Sequence, residues 1–384
     1  MATPFIDPVL LTRDLIRKPS VTPVNAGAIE VVAQTLESLG FTCRRMDFDG
    51  IVNLYARLGA EGPNLCFAGH TDVVPPGPES DWSRGPFEAE VVDGMLYGRG
   101  AVDMKGGIAA WIAAVAERLA KGGVPGSLSF LITGDEEGRA THGTKLVVQA
   151  LKAEGERIDH CIVGEPSSQQ RLGDCMKIGR RGSLNVWITA RGRQGHVAYP
   201  ERGANPIPVL VRLLNRLEET RLDEGYEAFQ PSNLELTTID VDNPATNVIP
   251  AVATARLNIR FNPARTGADL IAWLEDELRA AEGGGVTLSM ETLHSGDAFL
   301  TPEGDFTHLV QDAVEAELGV RPTASTTGGT SDARFIKDLC PVLELGLVGQ
   351  TMHQIDERVP EAELRALAGA YGRVIDAYFA RFSG

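Results

Sequence analysis

The chain has 384 residues, more than one hydrophobic core usually organises, so we expect two domains. Its 36 Lys and Arg residues are outnumbered by 52 Asp and Glu residues, and the formal net charge of -16 disfavours a nucleic acid or an anionic membrane as partner. The N-terminal MATPFIDPVLLTRDLIRKPS lacks a signal-peptide core, and no apolar run reaches the roughly 18 residues that span a bilayer. The five cysteines have no regular spacing and lie mostly in apolar runs, which predicts reduced thiols and, with the lack of a signal-peptide core, a cytoplasmic protein.

Helices and strands alternate from residue 8 to about residue 180. A helix is predicted from Asn25 to Gly40, where the polar Asn25 can cap its first turn, and the apolar strand LCFAGH follows. Residues 105–121 repeat apolar side chains at helical spacing. This alternation is typical of an α/β sheet domain.

The pattern changes after Gly182. A strand, a helix, two strands, a helix and a strand are predicted at Ser183–Arg191, Pro206–Thr220, Leu234–Val241, Ala251–Phe261, Ala268–Ala281 and Val286–Leu293. This order is typical of a small ferredoxin-like α+β sandwich. Beyond residue 295 the alternation of helix and strand returns, with the strand PVLELG and a final helix Glu361–Arg381.

Five residues of metal-binding type are scattered along the two outer segments. They are His70 in AGHTDVV, Asp103 in GRGAVDMKGG, Glu137 in TGDEEG, Glu165 in VGEP and His353 in GQTMHQIDE. The first four follow short apolar runs, which is where strands of an open α/β sheet deliver side chains to a common crevice. Imidazole and carboxylate ligands suit zinc, so the set predicts two zinc ions that share one carboxylate.

The positions of these residues also predict the domain organisation. Because His353 lies beyond residue 295 and the other four lie before residue 166, both outer segments must build one domain. We therefore predict an α/β fold in which residues 1–181 and 295–384 form a discontinuous zinc-binding catalytic domain. Residues 182–294 form an α+β domain inserted into it.

The chemistry of such a site is hydrolysis. Adjacent residues of an extended chain point in opposite directions, so Glu137 can bind metal while Glu136 faces a water. Two cations lower the pKa of a water and polarise a carbonyl, and Glu136 is the candidate that moves the proton to the departing amine. His196 in RGRQGHVAYP is the leading candidate for stabilising the oxyanion. Asp72, two residues after His70, can orient the ring of His70 through its second nitrogen.

Several motifs also have simpler interpretations. HTD alone is common at polar strand ends, and GDEEG alone is commonly a solvated acidic turn. The basic residues Lys177, Arg180, Arg181 and Arg260 form either an anion-binding set or a solvated edge. The GGTSD turn at 328–332 either cradles a carboxylate with its N–H groups or is a plain loop. His142, His160, His294 and His308 lack partner motifs and are expected to be structural or at the surface.

Two other classes of protein are disfavoured. The Gly-rich GRGAVDMKGG lacks both the G-x-G-x-x-G spacing and the Lys-Ser/Thr pair of nucleotide-binding loops. A non-catalytic binding protein that kept an enzyme fold would not need the five ligands together with Glu136.

Over nearly its whole length the chain resembles the co-catalytic dizinc metallopeptidases that include aminoacylase, glutamate carboxypeptidase and acetylornithine deacetylase. The strings KIGRRGSLNVWITARGRQGHVAYPERGANP, GGTSDARFI and GLVGQTMHQIDERV resemble most the members that hydrolyse N-succinyl-LL-2,6-diaminoheptanedioate. The resemblance implies release of succinate and LL-2,6-diaminoheptanedioate in bacterial lysine and diaminopimelate biosynthesis. A related deacylase such as acetylornithine deacetylase is the alternative, because it shares the metal residues.

The resemblance also implies a role for each residue. His70 and Glu165 would hold one Zn²⁺, Glu137 and His353 the other, and Asp103 would bridge them, with Co²⁺ or Mn²⁺ able to substitute. Glu136 would be the general acid and base.

The same resemblance implies a homodimer through the inserted domain, in which His196 and Asn247 reach the partner's active site. The residues implied to hold a dianionic N-succinyl amino acid are Lys177, Arg180, Ser183, Tyr199, Arg260, Gly329 and Thr330. Two positions depart from the pattern: Thr246 and Gly349 stand where some relatives have Asn.

Overall fold

The computed structural model describes residues 3–383, and the chain divides into two compact units. The first contains the residues up to 178, residues 301–325 and the residues from 331 onward. The second contains residues 179–300 and the short segment 326–330. The boundaries predicted from the sequence lay at 181/182 and 294/295, and the assignment of 326–330 to the second unit was not anticipated.

Most of the chain is in regular secondary structure. The helices are α1 (Pro8–Ile16), α2 (Ala28–Ser38), α3 (Lys105–Ala120), α4 (Thr144–Ala153), α5 (Pro206–Glu219), α6 (Gly267–Ala281), α7 (Asp305–Leu318), α8 (Ala333–Ile336) and α9 (Glu361–Phe382). The first ten strands are β1 (Thr42–Arg45), β2 (Leu54–Leu58), β3 (Asn64–His70), β4 (Val91–Val92), β5 (Met95–Tyr97), β6 (Ser127–Thr133), β7 (His160–Val163), β8 (Cys175–Lys177), β9 (Gly179–Arg180) and β10 (Gly182–Arg191). The remaining strands are β11 (Gly195–His196), β12 (Asn233–Asp240), β13 (Val248–Ile249), β14 (Val252–Phe261), β15 (Thr287–Gly296), β16 (Phe299–Leu300), β17 (Thr323–Ser325), β18 (Val342–Glu344) and β19 (Arg358–Pro360).

An eight-stranded mixed sheet forms the centre of the first unit, in the order β1-β2-β6-β3-β7-β18-β8-β17. Strands β6, β3, β7 and β18 run parallel, whereas β1 and β2 at one edge are antiparallel to their neighbours. Every residue of β3 and β6 is buried, as expected for central strands of an α/β sheet. The α/β fold predicted for this domain is confirmed, and its sheet is mixed.

Aromatic side chains join the helices of the first unit to its sheet. Helix α3 packs against α1 and α9. Phe67 of β3 stacks on Trp111 of α3 with ring centroids 4.9 Å apart, and Tyr371 of α9 packs edge-on against both rings. Full burial of a large apolar side chain stabilises the fold by roughly 1.5–3 kcal/mol, so the contacts among these three residues hold α3 and α9 firmly against the sheet.

Strand β5 does not join the large sheet. Met95–Tyr97 is the apolar run that precedes Asp103, and it was expected to be a strand of the same sheet as the runs before the other three residues; that expectation is wrong. Strand β5 instead lies between β4 and β19 in a separate three-stranded sheet. The physical reason is the antiparallel pairing of Met95–Tyr97 with Arg358–Pro360, a segment far away in the sequence.

The second unit is built on a four-stranded antiparallel sheet in the order β12-β14-β10-β15. Leu184, Val186, Ile188 and Ala190 alternate along β10 and are fully buried, because α5 and α6 pack on that face of the sheet. The order β10-α5-β12-β14-α6-β15 is the one predicted. In residues 3–383 no helix has both the length and the apolar character needed to cross a membrane.

Candidate active site

The fold brings the five predicted metal ligands together in the first unit. His70 is the last residue of β3, Glu137 lies in the loop after β6, and Glu165 lies two residues after β7. These three strands are neighbours, so their carboxyl ends open on one edge of the sheet. Asp103 comes from the turn before α3, and His353 from the loop before β19.

One glycine explains how the turn with Asp103 approaches Glu165. A Cβ atom on Gly107, in the first turn of α3, would lie 2.5 Å from the carbonyl oxygen of Gly164. Only glycine permits that approach, so the last glycine of the motif GRGAVDMKGG is required for packing. It brings the start of α3 against the end of β7.

The five side chains form two groups of three that share Asp103. In the first group, Nε2 of His70 lies 3.2 Å from Oδ1 of Asp103 and 3.7 Å from Oε1 of Glu165. In the second, Nε2 of His353 lies 3.2 Å from Oδ2 of Asp103 and 2.9 Å from Oε1 of Glu137. Each oxygen of Asp103 thus faces a different imidazole, so this carboxylate can contribute a ligand atom to both groups.

The charges of the cluster support cation binding. Burial, together with the neighbouring carboxylate of Asp103, raises the pKa of Glu165 well above its usual range. Burial alone would lower the pKa of His70, yet its acidic neighbours raise it far above the usual value, and contacts with Asp103 and Glu137 raise the pKa of His353 to about 10. Without a cation, buried carboxylates draw protons onto the imidazoles. The donor set of nitrogen and oxygen atoms therefore fits a divalent metal in place of those protons.

Asp72 contacts the second ring nitrogen of His70, as the sequence predicts, and does so through its backbone. Nδ1 of His70 lies 2.9 Å from the backbone carbonyl oxygen of Asp72, whereas the nearest carboxylate oxygen is 3.7 Å away. The carboxylate instead accepts the backbone N–H groups of Glu136 and Glu137 at 3.2 and 3.0 Å. Asp72 thereby fixes both the ring of His70 and the turn with the two glutamates.

Glu136 lies beside Arg334, a residue that the sequence analysis did not select. Burial and the neighbouring Asp332 raise the pKa of Glu136 to about 8. Nη1 of Arg334 lies 3.8 Å from Oε1 of Glu136; Arg334 is buried and Glu136 is partly buried. The available signal in the sequence was Arg334, two residues after the GGTSD turn, since a buried arginine commonly has a carboxylate partner.

Six of the predicted substrate residues lie in the second unit, namely Arg180, Ser183, Tyr199, Arg260, Gly329 and Thr330. His196 and Asn247 lie in the same unit. Ser183 and Arg260 are cross-strand partners on β10 and β14 and therefore share a face of the sheet. Nη1 of Arg180 donates to the carbonyl oxygens of Thr327 and Gly329 at 3.3 and 3.2 Å. This guanidinium thus contacts the GGTSD turn at Gly329 and the residue just before the turn, Thr327.

His196 and Asn247 occupy a short two-stranded arm of the second unit. His196 ends β11, which pairs with β13, and Asn247 immediately precedes β13. The carbonyl oxygen of Asn247 accepts the N–H group of Val197 at 3.1 Å. His196, Asn247 and Tyr199 are all exposed.

Lys177 is in the first unit, at the end of β8, and its Nζ lies 3.4 Å from Oγ of Ser325. Lys177 is 6% exposed and Arg180 is 8% exposed, so the alternative of a solvated basic edge is wrong for these two residues. Arg181 is different: it is half-buried and donates to Oδ1 of Asn233 at 2.8 Å.

Known proteins are similar to this chain in sequence and in fold. The sequence pattern of Peptidase family M20/M25/M40 matches residues 66–377, which include all five ligands. The chain belongs to this family. Succinyl-diaminopimelate desuccinylase of Caulobacter vibrioides (strain NA1000 / CB15N) is 63% identical over 379 residues, which cover 98% of this chain and 97% of that protein.

Solved structures of M20 members have the same fold. The M20 family metallo-carboxypeptidase Sso-CP2 from Sulfolobus solfataricus superposes with a TM-score of 0.82 at 16% identity, covering 97% of this chain and 99% of that one. The YXEP protein of Bacillus subtilis, described as a dinuclear metal binding peptidase from the M20 family, gives a TM-score of 0.71 at 16% identity, covering 97% and 98%. The chain is thus a hydrolase of a metallopeptidase family, and its ligand cluster is consistent with metal use.

Proposed function

We propose that this protein hydrolyses the amide bond of N-succinyl-LL-2,6-diaminoheptanedioate to succinate and LL-2,6-diaminoheptanedioate, a step of bacterial lysine and diaminopimelate biosynthesis. The single observation that carries the reaction type is the pair of ligand groups that share Asp103. The substrate is supported by the desuccinylase relative at 63% identity over nearly the full length of both chains.

The proposed cofactors are two Zn²⁺ ions in each subunit. His70 and Glu165 would hold one ion, Glu137 and His353 the other, and Asp103 both. Bound zinc supplies a water of lowered pKa and polarises the amide carbonyl. Co²⁺ or Mn²⁺ can substitute, because every proposed ligand is nitrogen or oxygen and none is a thiolate.

Glu136 is the proposed general acid and base. Its carboxylate accepts the proton of the attacking water and delivers it to the leaving nitrogen, which departs as an amine. Asp72 supports this transfer, since its carboxylate anchors the backbone N–H groups of Glu136 and Glu137. The imidazole of His196 would donate a hydrogen bond to the oxyanion of the tetrahedral intermediate.

The proposed substrate is recognised through its carboxylates. Burying a carboxylate without a cationic or hydrogen-bonding partner is costly, so the succinyl arm needs such groups. Lys177, Arg180 and Arg260 would supply charge, and the hydroxyl groups of Ser183, Tyr199 and Thr330, the N–H group of Gly329 and the amide of Asn247 would supply hydrogen bonds. Contacts at Thr246 and Gly349, where the sequence departs from some relatives, are not assigned.

The two units would have different tasks. The first, which contains the metal ligands, would be the catalytic domain, and the second the inserted dimerisation and lid domain. In the proposed homodimer, His196 and Asn247 of one subunit complete the active site of the other. The proposed location is the cytoplasm, which agrees with the five free thiols, four of them buried.

Steady-state assays on two substrates test the substrate assignment. We expect kcat/KM for N-succinyl-LL-2,6-diaminoheptanedioate to exceed that for N-acetylornithine by at least two orders of magnitude, about 3 kcal/mol in transition-state binding. A preference for N-acetylornithine would identify the protein as the related deacylase, with the same metal centre.

A further inference from the structure

Two buried residues that the sequence analysis did not select, Arg99 and Glu357, form an ion pair close to the metal ligands. Nη1 of Arg99 lies 2.6 Å from Oε2 of Glu357, and their side chains are 2% and 0% exposed. Removing two opposite charges from water is costly, and their mutual attraction often only offsets that cost. Stability alone is therefore a weak reason for the pair, and its other contacts indicate a more specific role.

Glu357 fixes the turn that carries the shared ligand Asp103. Its Oε1 accepts the backbone N–H groups of Val102 and Asp103 at 2.9 and 3.2 Å. Its own carbonyl oxygen accepts the N–H group of Gly98 at 2.9 Å, at the start of the same turn. One residue beside β19 thus holds both ends of the segment between β5 and Asp103.

Arg99 fixes the loop that carries His353. Its Nη1 donates to the carbonyl oxygen of Gln354 at 3.2 Å, and its Nη2 to that of His353 at 3.4 Å. The backbone of His353 has a φ of 61°, a left-handed conformation that residues other than glycine rarely adopt. The guanidinium also lies over the ring of Trp82, 5.3 Å from its centroid. A planar group with five N–H donors suits this task, and a lysine cannot make all these contacts at once.

We propose that Arg99 and Glu357 are positioning residues that tie the Asp103 turn to the His353 loop and thereby set the affinity of the metal ion held by Glu137, His353 and Asp103. This inference rests on the proposed dizinc site. The ion with Glu137 and His353 depends on both tied segments. The ion with His70 and Glu165 depends on only one of them, so loss of the tie weakens the two ions unequally.

The test uses the substitutions Arg99→Lys and Glu357→Gln. The first keeps a positive charge beside Glu357 but lacks the fork that reaches the two carbonyl groups. The second keeps an acceptor oxygen for Val102 and Asp103 but removes the charge that pairs with Arg99. Arg57→Lys is the matched control, because Arg57, which lies on β2 away from the metal ligands, forms a half-buried ion pair with Glu156.

Zn²⁺ is titrated calorimetrically into the metal-free proteins, and Co²⁺ titrations followed by visible absorption report ligand geometry. We expect one of the two ions to bind about 10- to 100-fold more weakly in both variants, the other to be weakened to a smaller extent, and both to be unchanged in Arg57→Lys. Unchanged affinities, equal weakening of both ions, or failure of both metal-free variants to fold would each overturn the inference while leaving the dizinc site intact. A wild-type protein that binds fewer than two ions would instead refute the proposed dizinc site itself.

Discussion

The carboxylate of Asp72 accepts the backbone N–H group of Glu137 at 3.0 Å. Asp72 follows β3, and Glu137 follows the neighbouring parallel strand β6, so this bond joins the ends of two strands that lead to proposed metal ligands. The same carboxylate accepts the N–H group of Glu136. One side chain thus fixes the orientation of two adjacent glutamates with different proposed tasks.

Asp72→Asn is predicted to reduce turnover strongly. An asparagine has only one acceptor oxygen, and its NH₂ group would face an N–H donor of the Glu136–Glu137 turn, so the turn shifts. We expect kcat/KM to fall about 10- to 100-fold. The matched control is Asp223→Asn, since Asp223 of the second unit also accepts two backbone N–H groups, those of Gly225 and Ser232. An equal loss of activity in both variants would mean that Asp72 serves only the stability of the fold.

Glu136→Gln and Glu137→Gln are predicted to fail in different ways. Loss of a general base typically lowers the rate by 10²- to 10⁴-fold, so Glu136→Gln should keep its metal and lose most of its turnover. Glu137→Gln should lose metal, because a neutral amide is a poorer ligand for a cation. Elemental analysis beside kcat distinguishes the two variants. Metal depletion in Glu136→Gln with full occupancy in Glu137→Gln would reverse the assignment.

Arg180→Ala is predicted to impair the succinyl substrate far more than an acetyl substrate, because only the succinyl arm carries an extra carboxylate. A hydrogen bond to a charged group contributes about 1.5–3 kcal/mol, which corresponds to a loss of roughly 10- to 150-fold in kcat/KM for the succinyl substrate. The adjacent Arg181→Ala is the control, as Arg181 donates to Asn233. Equal losses on both substrates would assign Arg180 to the GGTSD turn instead.

Two inactive variants are predicted to restore activity when they form a mixed dimer. A His196→Ala subunit keeps Glu136 and its metal ligands, while a Glu136→Gln subunit can still lend His196 to its partner. One of the two sites then has both residues, so a doubly tagged heterodimer should recover up to about half of the wild-type activity if the sites are independent. Purified heterodimers as inactive as their parents would rule out the sharing of His196.

The clustering of the five residues could be predicted from the sequence because polar residues that follow apolar strands are a local pattern. His70, Glu137 and Glu165 follow apolar runs that become the neighbouring strands β3, β6 and β7. In an open α/β sheet this pattern places such side chains at one edge. The β-α-β-β-α-β order of the second unit was equally accessible, since alternating burial along β10 is visible as alternating hydrophobicity.

Contacts between distant segments could not be predicted in this way. Alternation along a strand indicates which face of the sheet a side chain takes, but it does not identify a partner in another loop. The hydrogen bonds from Glu136 and Glu137 to the carboxylate of Asp72 were therefore not predicted. The pairing of Met95–Tyr97 with Arg358–Pro360 has no local signal. Arg99 and Glu357 were missed for the same reason: in the sequence, each is typical of a charged residue at the surface, and nothing nearby identifies the other as its partner.

The central claim is that two metal ions held by the cluster around Asp103 drive hydrolysis of a succinylated substrate. It is tested most directly by removing the metal with a chelator, verifying its absence by elemental analysis, and assaying N-succinyl-LL-2,6-diaminoheptanedioate before and after adding Zn²⁺. We expect the metal-free protein to be inactive and activity to return as zinc reaches two ions per subunit. Full turnover in verified metal-free protein would contradict the claim.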